Sequence, residues 1–136
     1  MKVDLEQLGQ LDSVFTGLQK VDGLINCAGR TSNLALLDMK PEVGILLFLL
    51  VLLYSVQEVI GLSHVNLVAP SLLAQLAARL MAYPGPPCYI VNILSVWAWA
   101  TPSRESNHFY SATKRALLAV SDCLRRELAA RNSNIR

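Results

Sequence analysis

The chain has 136 residues, 53% hydrophobic and 16% charged, with a net charge of +2. That length suits one α/β domain over residues 1–136, and the dispersed Lys and Arg argue against a nucleic-acid partner. Cys27, Cys88 and Cys123 stand far apart with no Cys-x-x-Cys or companion His, which argues against a metal site or disulfide framework and for a reducing, cytoplasmic setting.

The opening Met1-Lys2-Val3-Asp4-Leu5-Glu6 carries acidic residues ahead of any apolar run, unlike a signal peptide. Met1 to Leu5 reads as the tail of a strand. From Glu6 to Lys20, Leu8, Leu11, Val14, Phe15 and Leu18 recur three and four apart, the spacing of an amphipathic helix, and Gly17 weakens its last turn. The run Val21-Asp22-Gly23-Leu24-Ile25-Asn26-Cys27-Ala28-Gly29 then has the length and apolar character of a buried parallel strand ending in small residues. Ligands of open α/β sheets sit beyond such ends, where Ala28 and Gly29 would let one approach the backbone. A strand simply stopping at a turn would read the same way.

Val43 to Val56 is fourteen residues without a charge or a periodicity. A membrane span needs about 20 such residues, so a buried helix, an interfacial segment or an aggregating strand fits as well. Asn66 to Met81 reads as a helix that is apolar nearly all round, with Pro70 in its first turn. Tyr83 to Pro87 is a loop, and Cys88 to Leu94 a second buried strand with Ser95 at its C-terminal end. Trp97 to Asn107 forms a connection long enough to cover a site.

The last helix is expected from about Tyr110 to Ala130, with a stripe of Ala112, Ala116, Val120, Leu124 and Leu128. Residues four apart on a helix share one face, so Tyr110 and Lys114 present a phenol and an ammonium to the same volume. A close positive charge favours phenolate, which makes the pair a proton donor or acceptor suited to alcohol and carbonyl chemistry. A surface Tyr and a surface Lys would show the same spacing. Asn134 to Arg136 looks like the first residues of a further strand. Alternating strands and helices imply a parallel sheet.

Taken in order, Asn26-Cys27-Ala28-Gly29, Asn66, Ser95 and Tyr110-Ser111-Ala112-Thr113-Lys114 resemble the short-chain dehydrogenase/reductase family over most of the chain. The segment His108 to Leu128 is most similar to its farnesol dehydrogenase-like members. The resemblance implies an oxidoreductase passing hydride between a nicotinamide cofactor, NADP(H) ahead of NAD(H), and a lipophilic alcohol or carbonyl. It implies Tyr110 as general acid/base, and Lys114 lowering the phenol's pKa and binding the nicotinamide ribose. Ser95 would hydrogen-bond the substrate oxygen, and Asn66 would hold a relay water. Ala28 and Gly29 would line the cofactor, Asn26 would tie strands together, and Asp4 would lie near the adenine. Simpler readings make Ser95 a strand cap, Asn66 a helix cap and Asp4 a surface charge. The resemblance also implies a homo-dimer or homo-tetramer, as expected of full-length relatives.

Three departures accompany the likeness. No Gly-x-Gly-x-x-Gly precedes Asp4 to cradle a pyrophosphate. Val43 to Val56 interrupts the family pattern; Glu42 followed by Gln57 would read smoothly, and an insertion from altered splicing or gene prediction is expected. The chain stops at Arg136, ahead of the strand and loop that complete the substrate pocket. The expectation is therefore a partial Rossmann-like, doubly wound α/β sheet lacking the first βαβ unit, with an exposed strand edge. Two alternatives stand beside the enzyme: an inactive truncated isoform that associates through its helices, and membrane attachment through Val43–Val56.

Overall fold

A computed structural model describes residues 2–32, 56–81, 85–102 and 107–136. Its centre is a parallel pair of short strands, β1 (Gly23–Asn26) and β2 (Tyr89–Asn92), in the register Gly23 to Tyr89 through Asn26 to Asn92. On the far side of β2, Ile135 pairs parallel with Cys88. There Arg136 donates its N–H to the Cys88 carbonyl at 2.9 Å and Ile90 donates to the Arg136 carbonyl at 2.8 Å. The Asn134–Arg136 stretch thus starts a third strand position, as its sequence suggested.

Two helices lie across one face of this sheet. Helix α1 (Val56–Leu80) runs 25 residues and α2 (His108–Ala130) runs 23. Leu62, Ala69, Leu73, Ala74 and Ala77 of α1 are buried. Ala77 and Met81 pack with Val21, Cys88 and Ile135, while Ala69 and Leu73 pack with Leu11. Mean hydropathy over the most apolar window of α1 is 1.4, enough by length and composition to cross a membrane, and 39% of that window is buried inside the fold.

Where the structure departs from the sequence reading, local chemistry explains it. Helix α1 is already formed at Val56, ten residues before Asn66. Pro70 has no N–H to give the carbonyl four residues back; the helix widens into a π turn over His64–Val68 just ahead of it, and regular α geometry resumes over Ala69–Leu80 with Pro70 in its first turn. Asn66 is therefore mid-helix and caps nothing. The Glu6–Lys20 periodicity yields a tighter 3-10 segment, Leu8–Phe15, in place of an α-helix. Ser13 turns its hydroxyl onto the Gln10 carbonyl at 2.6 Å, competing with helical bonding, and Gly17 ends the run at φ +81°. Its apolar face still packs as the spacing requires, with Leu11 buried. Residues 2–4 are irregular instead of a strand tail, for no strand partner lies beside them among the described residues. The uncharged segment falls outside the described residues except at Val56, as do Tyr83 and Pro84 of the loop and residues 103–106.

Candidate active site

Two parallel strands end at the same edge of the sheet, and each continues into a segment singled out in the sequence. Cys27-Ala28-Gly29-Arg30 follows β1, and Ile93-Leu94-Ser95 follows β2. An amide relay fastens these ends. Asn26 Nδ2 donates to Asn92 Oδ1 at 2.8 Å and to the Pro70 carbonyl at 3.1 Å. Asn92 Nδ2 donates to Ser121 Oγ at 2.9 Å. Asn26 thus connects both strands and α1, and Asn92 carries the connection on to α2.

The first turns of α2 bring Tyr110 and Lys114 to this edge. Lys114 is 3% exposed. Its Nζ donates to the Ile93 carbonyl at 2.8 Å and lies 5.8 Å from the centre of the Tyr110 ring, within cation–π range. Loss of water around the ammonium pushes the Lys114 pKa below its ordinary 10.5, while the nearby Cys27 acts in the opposite direction. A buried lysine held by one carbonyl is a costly arrangement, and such arrangements cluster where chemistry is done.

Asn66 is fully buried and wholly engaged. Its Oδ1 accepts the Arg30 N–H at 2.9 Å, and its Nδ2 donates to the Arg30 carbonyl at 2.8 Å and to Thr113 Oγ1 at 3.2 Å. Thr113 in turn donates to the Tyr110 carbonyl at 2.8 Å. The π turn of α1 is thereby bonded to the β1 loop on one side and to the Tyr110 turn on the other. Gly29 closes the group. A Cβ there would stand 3.4 Å from Asn66 Oδ1 and 3.6 Å from Lys114 Nζ, so the absent side chain keeps that space open, while Ala28 and Gly29 themselves are exposed. These are the features a flat, polar cofactor lying over the strand ends requires, and they fit a nicotinamide dinucleotide.

Ser95 accepts the Trp97 N–H at 3.3 Å, and the Trp97 carbonyl accepts from Ser111 at 2.8 Å, so Ser95 is tied to the turn that holds Tyr110. Asp4 stands differently. It is exposed, and its Oδ1 accepts the Glu6 N–H at 3.0 Å in a local turn. Asn66, Lys114, Tyr110 and Gly29 therefore form one contact group, Ser95 reaches it through Trp97, and Asp4 is held in its own turn. Three participants escaped the sequence reading. Thr113 was visible as the residue one turn from Tyr110, and Asn92 as an amide in register with Asn26. The Ile93 carbonyl had no side-chain signal at all. Among the described residues, no group of His, Cys, Asp or Glu could hold a metal ion.

The family profile described as short chain dehydrogenase matches residues 1–136. No curated protein matches the chain. Among solved structures, a 4-hydroxyisoleucine dehydrogenase complexed with NADH is 26% identical, with a TM-score of 0.76. That alignment covers 100% of this chain and 53% of the other. The bulky-bulky ketone specific alcohol dehydrogenase from Comamonas testosteroni is 29% identical at a TM-score of 0.71, covering 96% and 46%. A short chain dehydrogenase from Burkholderia cenocepacia J2315, in complex with NADP, shares the fold at 24% identity and a TM-score of 0.73, covering 99% and 48%. The chain spans about half the length of these structures.

Proposed function

The chain belongs to the short-chain dehydrogenase family, and on that premise we propose that it binds a nicotinamide cofactor and serves hydride transfer between NAD(P)(H) and an alcohol or carbonyl. The observation that carries this reading is the Lys114 ammonium, buried, bonded to Ile93 and close to both the Tyr110 ring and the bare Gly29 backbone. A bound nicotinamide would supply or take up the hydride at the substrate carbon. The chain's own residues handle the oxygen. Tyr110 moves the proton between its phenol and the substrate oxygen. Ser95 donates its hydroxyl proton to that oxygen, where charge develops. Lys114 would hold the nicotinamide ribose and keeps a cation beside the Tyr110 ring. Asn66, its amide fully engaged, holds the Arg30 loop and the Tyr110 turn in place, and Ala28 and Gly29 would line the cofactor. Asp4 would lie near the adenine end.

NADP(H) is the cofactor we favour over NAD(H), on the farnesol dehydrogenase-like character of the His108–Leu128 segment. The exposed Val96 and Trp99, just beyond Ser95, favour a lipophilic substrate of the kind that branch takes. Cofactor fluorescence or calorimetry on the purified chain tests the reading. Micromolar binding of NADPH is expected, tighter than that of NADH, and absence of binding for both overturns it. Lys114→Met should abolish binding without unfolding the chain.

A second reading concerns association. The groove between α1 and α2 is lined by Leu72, Val120 and Leu124 beside Arg79 and Glu127, an apolar floor with charged margins. It suits a second copy packed helix against helix. Light scattering should report a dimer that Leu124→Glu converts to monomer.

A further inference from the structure

Arg30 lies next to the contact group, and neither the chemistry nor the strand ends account for its side chain. Its guanidinium reaches across to two other parts of the chain. Nη1 pairs with Glu6, and Nη2 donates to both Glu58 oxygens at 3.0 and 2.8 Å. Glu6 lies in the turn that Asp4 caps, and Glu58 in the first turn of α1. His64 Nδ1 contacts the Glu6 carbonyl at 3.1 Å, fastening that turn to the same helix. A guanidinium that spans two carboxylates, one on each Nη, gives geometric definition that a lone lysine contact does not.

Two features show that the fold is built around this guanidinium. Gly61 sits inside α1, where glycine costs about 1 kcal/mol relative to alanine. A Cβ at that position would stand 2.7 Å from Arg30 Nη1 and 3.3 Å from Glu6 Oε1, so an added side chain would shift the tip of the guanidinium. The backbone of Arg30 is also fixed from the other side, its N–H and carbonyl both held by the Asn66 amide. One residue is therefore gripped at both ends: its side chain by Glu6 and Glu58, its main chain by Asn66. Gly29 immediately precedes it.

We propose that Arg30 is a positioning residue, its guanidinium clamped between Glu6 and Glu58 over Gly61 so that the loop after β1 stays in register with Asn66 and Lys114. Arg30 touches neither substrate nor cofactor; it acts through the loop it holds. The consequence for cofactor affinity rests on the function proposed above, whereas the clamp can be measured without any cofactor.

Amide hydrogen exchange on the full chain, followed residue by residue, separates the two. In Arg30→Met the amide at position 30 should exchange about tenfold faster, with the amides of residues 117–124 in α2 unchanged. Gly61→Ala, which leaves every charge in place, should loosen the same amide by crowding the guanidinium. Arg30→Lys should recover part of the protection by reaching one carboxylate. Affinity for NADPH, read by fluorescence, should fall about tenfold in Arg30→Met and partly return in Arg30→Lys. An unchanged rate at position 30, or a uniform rise across α2 as well, overturns the clamp. Cofactor binding as tight in Arg30→Met as in the wild type, with the loop loosened, overturns the positioning role. If the wild type binds no cofactor while the exchange pattern holds, the clamp stands and the proposed function fails.

Discussion

The two faces of the β1–β2 sheet are built on opposite terms. The face and edge toward α1 and α2 bury polar groups and satisfy them: Asn66 makes three hydrogen bonds, Asn26 two, and Lys114 one. The opposite face shows apolar groups to solvent, with Ile25 at 69% exposure, Tyr89 at 51% and Val91 and Ile93 beside them. Residues of a strand alternate between faces, so the same short sequences supply both sides. Leu24 and Ile90 pack inward while their neighbours Ile25, Tyr89 and Val91 face out. Hydrophobicity alone does not say which apolar residue of a strand will be covered. The helices decide that, and among the described residues they lie on one side.

This contrast is tested most sharply at Asn66. Asn66→Ala would strip the Arg30 N–H, the Arg30 carbonyl and the Thr113 hydroxyl of a buried partner at once. An unpaired buried polar group costs about 1–3 kcal/mol; Thr113 keeps the Tyr110 carbonyl and the Arg30 groups are part-buried, so a loss of about 2 kcal/mol in urea unfolding is expected. A loss below about 1 kcal/mol would mean that water or a shifted loop replaces the amide, and the buried side would not be as tightly specified as its bonding indicates.

A smaller effect, with a definite sign, is expected from Lys114. Burial lowers its pKa in the folded chain below the ordinary 10.5 of the unfolded chain. Between those two values the unfolded chain binds more protons, so stability rises with pH through this window and levels above about 10.5. Below the folded-state value the full burden of a buried ammonium is present. Lys114→Met removes the group, and thiols and phenols titrate in both proteins, so the informative quantity is the difference between wild type and variant. Wild type should gain on Lys114→Met as pH rises toward 10.5. A flat or falling difference would show that the Ile93 carbonyl and the Tyr110 ring compensate the charge in full. At neutral pH the variant should be as stable as the wild type or more so while binding no cofactor, the usual relation between a functional buried charge and stability.

Much of the site was legible because its chemistry is carried by side chains at fixed spacings. The four-residue step from Tyr110 to Lys114 needed only a helix to become a contact, and the small residues after β1 needed only a strand end. The sequence signal failed where the backbone itself responds to context. Pro70 marks the start of the regular α portion but gives no warning that helix precedes it, since a π turn absorbs the missing N–H. The spacing of Leu8, Leu11, Val14 and Phe15 is met equally by a tight 3-10 segment when Ser13 turns its hydroxyl onto the Gln10 carbonyl. The stripe Ala116, Val120, Leu124 and Leu128 of α2 is apolar yet only half-buried, while Ser111, Thr113 and Lys114 of the same helix are buried. Helical periodicity marked a stripe without saying which face is covered, and the covered face at this edge combines Leu117 with polar groups.

The outward face should respond least. Val91→Thr changes a side chain that stays in solvent, so it removes little buried surface and keeps the β-branched shape that suits a strand. Surface substitutions of this kind move stability by about 0.5 kcal/mol or less. Ile25→Thr should behave alike, and the pair should add, for neither side chain anchors a buried network. Association is where a difference is expected. Ile25, Tyr89, Val91 and Ile93 form a contiguous apolar patch on short strands, the kind of surface that draws chains together. Light scattering at rising concentration should show the double variant remaining monodisperse, or dimeric through the helical groove, where the wild type forms larger species. If instead the double variant unfolds with a loss of about 2 kcal/mol, the outward face is packed in solution, and the asymmetry between the two sides of the sheet is not a property of the molecule.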